Sequence, residues 1–188
     1  MFSIFSTFAI TMEITEERKT KLLDELSGTL QSFIDEAALF NNQEFNSVPY
    51  PGSWTPGQCA QHIRMSASGF NDVLNGRVTD TNREPDAGVE QIKAQFLNFD
   101  LKMQSPDFVV PEEKAYDQEE MIQALKVIRE NVLNSVQSLD LDKTCISFKV
   151  PGAGWFTRFE AASFVLYHTQ RHVHQLKKMQ KAFEEEAV

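Results

Sequence analysis

The sequence predicts an all-α protein, a four-helix bundle, and three observations carry that reading. Four stretches repeat apolar residues at three- and four-residue steps, three of them open on a side-chain cap, and prolines and glycines cluster between them. The chain of 188 residues is 41% hydrophobic, enough for one compact domain with a continuous core.

The first helix is expected between Thr15 and Phe40, where Leu22, Leu23, Leu26, Leu30, Phe33, Ile34 and Ala37 form one stripe. Residues 41–54 hold asparagines, prolines and a glycine and read as a loop. Thr55-Pro56-Gly57-Gln58 is a capping box with proline at the first helical position, and it fixes the start of the second helix. On that helix Cys59, His62, Ile63, Ser66, Phe70 and Val73 share a mostly apolar face.

Asn75 to Asp117 is the least regular part of the chain, broken by Gly76, Pro85, Gly88, Pro106 and Pro111 around one short helical piece near Val89–Leu97. It reads as a long crossover between helices two and three, long enough for neighbouring helices to run parallel. Asp117-Gln118-Glu119-Glu120 caps the third helix, which ends by Leu141. Ile146 to Trp155, containing Pro151-Gly152-Ala153-Gly154, reads as a turn or short hairpin. Thr157-Arg158-Phe159-Glu160 is another capping box, and the fourth helix runs from it to about Phe183 without proline or glycine. Its stripe is Ala161, Val165, His168, His172, Leu176, Met179 and Phe183.

Acidic residues outnumber basic ones 27 to 18, and the net charge of −9 opposes the counterion release that drives nucleic-acid binding, so neither DNA nor RNA is an expected partner. Two cysteines, Cys59 and Cys145, are too few for a disulfide framework and suit a reducing cytoplasm. The apolar start, residues 1–14, lacks a basic n-region and is shorter than a membrane span. It is expected to be a disordered or partly docked extension of the domain at 15–188, with Met12 as an alternative translation start. No stretch approaches membrane-spanning length, and a membrane is not an expected partner.

Three of the four histidines crowd into His168-Thr169-Gln170-Arg171-His172-Val173-His174. Residues four apart on a helix differ by about 40° around its axis, so His168 and His172 share a face, whereas His174 points away. That pair replaces two apolar residues of a core stripe, where unpartnered imidazoles would cost on the order of 2–7 kcal/mol. A divalent metal is one partner that satisfies them, because imidazoles at i and i+4 can reach one ion. His62, on the apolar face of another capped helix, supplies a third donor, and a three-histidine site keeps a position for water or substrate.

Imidazole donors suit zinc or nickel, whereas a non-haem iron(II) site would include a carboxylate. The plainer alternative is a pair of hydrogen-bonded core histidines. Cys59 is a candidate fourth or outer ligand, weighed against a small buried hydrophobe. Gln175, three residues past His172, is a candidate for orienting a ligand. Arg171, Lys177, Lys178 and Lys181 read as a solvated face complementing the C-terminal helix dipole.

Trp54-Thr55-Pro56-Gly57-Gln58-Cys59-Ala60-Gln61-His62-Ile63, followed downstream by Gly154, Thr157, Glu160 and His168-x-x-x-His172-x-x-Gln175, resembles the DinB-like and YfiT-like metalloenzyme superfamily over roughly Thr15 to Phe183. One departure is Gln58, a position that is often Glu in such motifs; Gln still closes the capping box. The resemblance implies an up-down-down-up bundle, a metal held by His62, His168 and His172, and a homodimer. It also implies a metal-dependent enzyme acting on a small-molecule substrate. Relatives include S-transferases using low-molecular-weight thiols such as bacillithiol, mycothiol or glutathione, so a thiol S-transferase or a hydrolase is expected. A non-catalytic metal-binding or stress-associated interaction protein is the alternative, and a bundle with a metal-free histidine cluster is the third.

Overall fold

The computed structural model describes residues 13–186, so the expectations for the first twelve residues lie outside it. Six α-helices follow one another: α1 (Glu16–Ala38), α2 (Asn42–Phe45), α3 (Pro56–Asn75), α4 (Val89–Leu97), α5 (Gln118–Ser138) and α6 (Arg158–Glu186). The long helices α1, α3, α5 and α6 form the four-helix bundle.

Their starts are set by local chemistry. Thr15 Oγ1 accepts from Arg18 N at the head of α1, and Glu16 and Glu17 complement the positive end of its dipole. Thr55 and Gln58 close a reciprocal capping box at 3.0 Å in both directions, and Asp117 accepts from Glu120 N. Thr157 and Glu160 do the same for α6, which extends to Glu186 because nothing in its last turns breaks the pattern.

Cross-helix hydrogen bonds give the directions. Thr29 of α1 meets Gln170 of α6, and Glu36 meets Gln180, so these two helices run parallel. Ser27 meets Arg129 of α5, and Ala37 meets Gln118, so α1 and α5 are antiparallel. His62 of α3 lies against His168, while Phe70 stacks on Phe164, so α3 and α6 are antiparallel. The bundle is therefore up-down-down-up. Both α1 and α3 pack along α5 and α6, and two of the three successive pairs of long helices, α1 with α3 and α5 with α6, stand on the diagonals.

Two apolar clusters fill the bundle. One gathers Leu22, Leu26, Leu74, Val136, Phe159 and Leu166 near the start of α6; the other gathers Phe33, Phe45, Ile63, Met121, Leu176 and Met179 near its end. Phe33 is 1% exposed, and trimming such a side chain to alanine costs about 3–5 kcal/mol. On α3 the change of cluster falls between Ile63 and Ala67, and on α6 between Leu166 and Leu176. His62, Ser66, His168, Thr169 and His172 occupy that seam.

Two local features differ from the sequence reading. The segment 41–54 carries the one-turn helix α2, because Asn41 and Glu44 form a capping box of their own and Phe45 is fully buried. The crossover contributes a strand, β1 (Val78–Thr79), paired antiparallel with β2 (Thr144–Cys145). β2 also bridges to Thr157, closing the turn expected at Ile146–Trp155, and inside it Val150 bridges to Gly154. Gly152 and Gly154 have φ of 76° and 88°, which side-chain-bearing residues rarely adopt.

Candidate metal centre

Because α3 and α6 are antiparallel, His62 meets the pair His168 and His172 across their interface. His62 Nε2 lies 3.0 Å from His168 Nε2, and His172 Nε2 lies 3.1 Å from the same atom. One ligand nitrogen from each of the three falls within 4.8 Å of the others, and no other such cluster of His, Cys, Asp or Glu occurs among the described residues. All three are buried, at 2%, 8% and 7% exposure.

The outer nitrogens fix the tautomers. His62 Nδ1–H donates to the Val109 carbonyl at 2.7 Å, in a 3-10 turn of the crossover (Asp107–Val109), and His172 Nδ1–H donates to Gln175 Oε1 at 2.8 Å. The Nε2 atoms of both rings are then bare lone pairs, and both face His168 Nε2. That nitrogen carries at most one proton, so at least one of the two buried N···N contacts has no hydrogen between its nitrogens. A cation resolves this: nitrogens sharing one ion at 2.0–2.1 Å stand about 3.0–3.4 Å apart, as His168 Nε2 does from each of the other two. The donor set fits a divalent metal.

Burial also holds the rings neutral, as ligands must be. It pushes the pKa of His172 down to about 3 and that of His168 well below the ordinary imidazole value, with the neighbouring histidines and Arg171 adding repulsion to His168. His62 is lowered by burial as well, partly offset by its bond to Val109. Trp54 packs on His62 at 5.1 Å, and Phe96 and Phe164 pack on His168 at 5.1 and 5.4 Å.

The remaining candidates take distinct places. Cys59 is fully buried with Sγ 3.5 Å from His172 Nδ1, the nitrogen turned away from the cluster, so it backs the ring instead of joining the inward-facing nitrogens. Burial raises its thiol pKa strongly. Gln175 holds the same Nδ1. His174 stands apart, stacked on Phe99 at 4.0 Å.

Arg171 departs from the solvated face read from the sequence. Its guanidinium donates to the carbonyls of Phe96, Asn98 and Leu101, in the last turn of α4 and just beyond it. Lys177 pairs with Glu36, Lys181 with Glu185, and Lys178 lies over the Tyr50 ring.

The triad forms part of the wall of an open cleft of about 1420 Å³ between the crossover, α6 and the turn before α6. At its other end Glu160, 1% exposed, accepts from both terminal nitrogens of Arg83 at 2.6 and 2.5 Å, and from Gly88 N at 2.7 Å. Sequence reasoning found Glu160 as a cap but not as the anchor of the crossover, because Arg83 and Gly88 are more than 70 residues away. The Val109 carbonyl was equally invisible, being backbone.

Among the described residues no helix is long and apolar enough to cross a membrane. No curated protein matches the sequence. Among solved structures, YfiT from Bacillus subtilis, described as a probable metal-dependent hydrolase with an unusual four-helix bundle topology, matches 92% of this chain and 91% of its own. The TM-score is 0.60 at 14% identity, a likeness of fold. The family profile of the DinB superfamily matches residues 20–176, and with the diagonal bundle and the buried triad in view, the chain belongs to the DinB superfamily.

Proposed function

We propose that this protein is a metal-dependent enzyme, a hydrolase or a thiol S-transferase, whose ion is held by His62, His168 and His172. The observation that carries the reading is the opening of the buried triad into a cleft roomy enough to admit a substrate. A sealed apolar core around the histidines would have favoured a structural or sensory role. The description of YfiT as a probable metal-dependent hydrolase supports the same class.

Bound there, a divalent ion supplies Lewis acidity that lowers the pKa of a coordinated water or thiol. The protein's own groups prepare that chemistry. Val109 and Gln175 hold two imidazoles with Nε2 turned inward, and the apolar rings of Trp54, Phe96 and Phe164 limit water around the cluster. An all-imidazole donor set suits zinc or nickel, and three neutral ligands leave room for an exogenous ligand.

The test is metal analysis of untagged protein, wild type against His62→Ala, His168→Ala and His172→Ala, followed by hydrolase and thiol-transfer screens. Near-stoichiometric zinc or nickel, lost in each variant together with chelator-sensitive turnover, is the expected result. Protein that takes up no metal on reconstitution, or turnover indifferent to all three substitutions, overturns the proposal.

A further inference from the structure

Both tryptophans and seven of the fifteen phenylalanines line the cleft that holds the triad. More telling is where apolar side chains meet solvent. Of the nine large hydrophobic residues that are exposed among the described residues, six, Phe99, Leu101, Met103, Phe108, Val110 and Trp155, border this one cleft, while Leu39, Val48 and Val127 lie elsewhere. Scattered exposed apolar residues are ordinary, but their convergence on one concavity marks a binding site.

The rings are held in place. Phe99 stacks on His174 of α6, and Phe108 meets Phe148 edge-to-face at 6.0 Å across the gap between the crossover and the segment before α6. Arg171 fixes the backbone at Asn98 and Leu101, and Arg83 donates to the carbonyl of Trp155. Phe108 immediately precedes Val109, whose carbonyl holds His62, so the apolar rim continues into the triad. Gln91, Gln95, Gln104 and Gln175 offer uncharged polar groups along the lining. At about 1420 Å³ the space exceeds the roughly 300–1,000 Å³ of common ligand pockets.

We infer that the cleft binds substrates with a bulky aromatic body, seated against the apolar rim formed by Phe99, Phe108, Phe148 and Trp155, with the reacting end toward the histidine triad. This assigns a substrate class to the site proposed above and rests on that reading. A second copy of the chain is the competing occupant of the rim. The continuity of the rim with the concavity at the triad favours the small molecule, because a flat partner surface would leave that space unfilled.

The test uses N-phenyl-1-naphthylamine, an uncharged aromatic probe that emits in apolar surroundings and takes excitation energy from nearby tryptophan. The full-length protein, with and without zinc, should bind it saturably at one site with quenching of tryptophan emission. Phe108→Ser and Leu101→Ser, both at exposed positions, should weaken binding roughly five- to tenfold. Leu39→Ser and Val127→Ser, exposed elsewhere, should leave it unchanged. Absence of saturable binding, equal losses in the two sets, or a dimer in sedimentation that Phe108→Ser dissociates would overturn the inference. Because the probe does not ligate metal, loss of probe binding in protein that still takes up zinc fails this inference alone, and loss of metal uptake alone fails the enzyme proposal.

Discussion

His62 donates its Nδ1–H to the carbonyl of Val109, 47 residues along the chain, so one bond joins a candidate metal ligand to the crossover covering the site. Locking His62 in one orientation should therefore steady the segment around Asp107–Val110. Zinc is expected to slow amide exchange in peptides spanning those residues, and His62→Ala should abolish the slowing. Equal protection in apo and zinc-loaded protein would show that the bond does not couple the two.

Gln175 gives a graded test of the same site. Removing its carbonyl frees the His172 ring, and loss of such outer hydrogen bonds typically costs about 10–100-fold in metal affinity. Gln175→Ala should weaken zinc binding by about that factor in a chelator competition while shifting apo stability by less than about 1 kcal/mol. His174→Ala, whose ring stacks on Phe99 outside the triad, should leave zinc affinity as it is.

Glu160 anchors the crossover from a buried position, and its removal strands Arg83 and the amides of Gly88 and Thr157. Glu160→Ala should lower unfolding stability by about 3 kcal/mol in urea titration. Gly88→Ala should also destabilise, since an added Cβ would stand 2.8 Å from Glu160 Oε1. Arg83→Ala, removing the half-exposed partner, should cost less than Glu160→Ala.

Cys145 is buried in the short sheet, and burial pushes its thiol pKa up from 9.0 to about 11. Between those values the unfolded chain loses a proton that the native chain retains. Its contribution to stability is therefore full below about pH 9 and is lost as pH rises toward 11. Cys145→Ala should show a shallower alkaline loss of stability than wild type in denaturant titrations from pH 8 to 11. Parallel curves would mean that the thiol does not carry the effect.

Where structure follows from local chemistry, the sequence was readable. Thr55, Asp117 and Thr157 cap helices where their side chains say they should, and α4 spans Val89–Leu97 as its periodicity indicates. The spacing of His168 and His172 placed them on one face, and the position of His62 on the apolar face of another capped helix pointed to it as the third member. Periodicity could not show that β1 of the crossover would pair with β2 across more than 60 residues. Nor could it show that Arg171, on a helix rich in exposed cations, would turn toward the carbonyls of α4. Those contacts depend on how the crossover lies over α6, and no short-range pattern encodes that placement.

The diagonal placement of α1 with α3 and of α5 with α6 also constrains how the chain folds. No two successive long helices form a closely packed antiparallel hairpin, because α1 and α3, like α5 and α6, are diagonal, and α3 and α5, which do pack, run parallel. Its contacts close long loops: 106 residues separate His62 from His168, and 141 separate Thr29 from Gln170. High contact order slows folding relative to helical proteins built from local pairs. During synthesis α1, α3 and α5 emerge before α6 exists, and the triad comes into being only when the last helix enters between them.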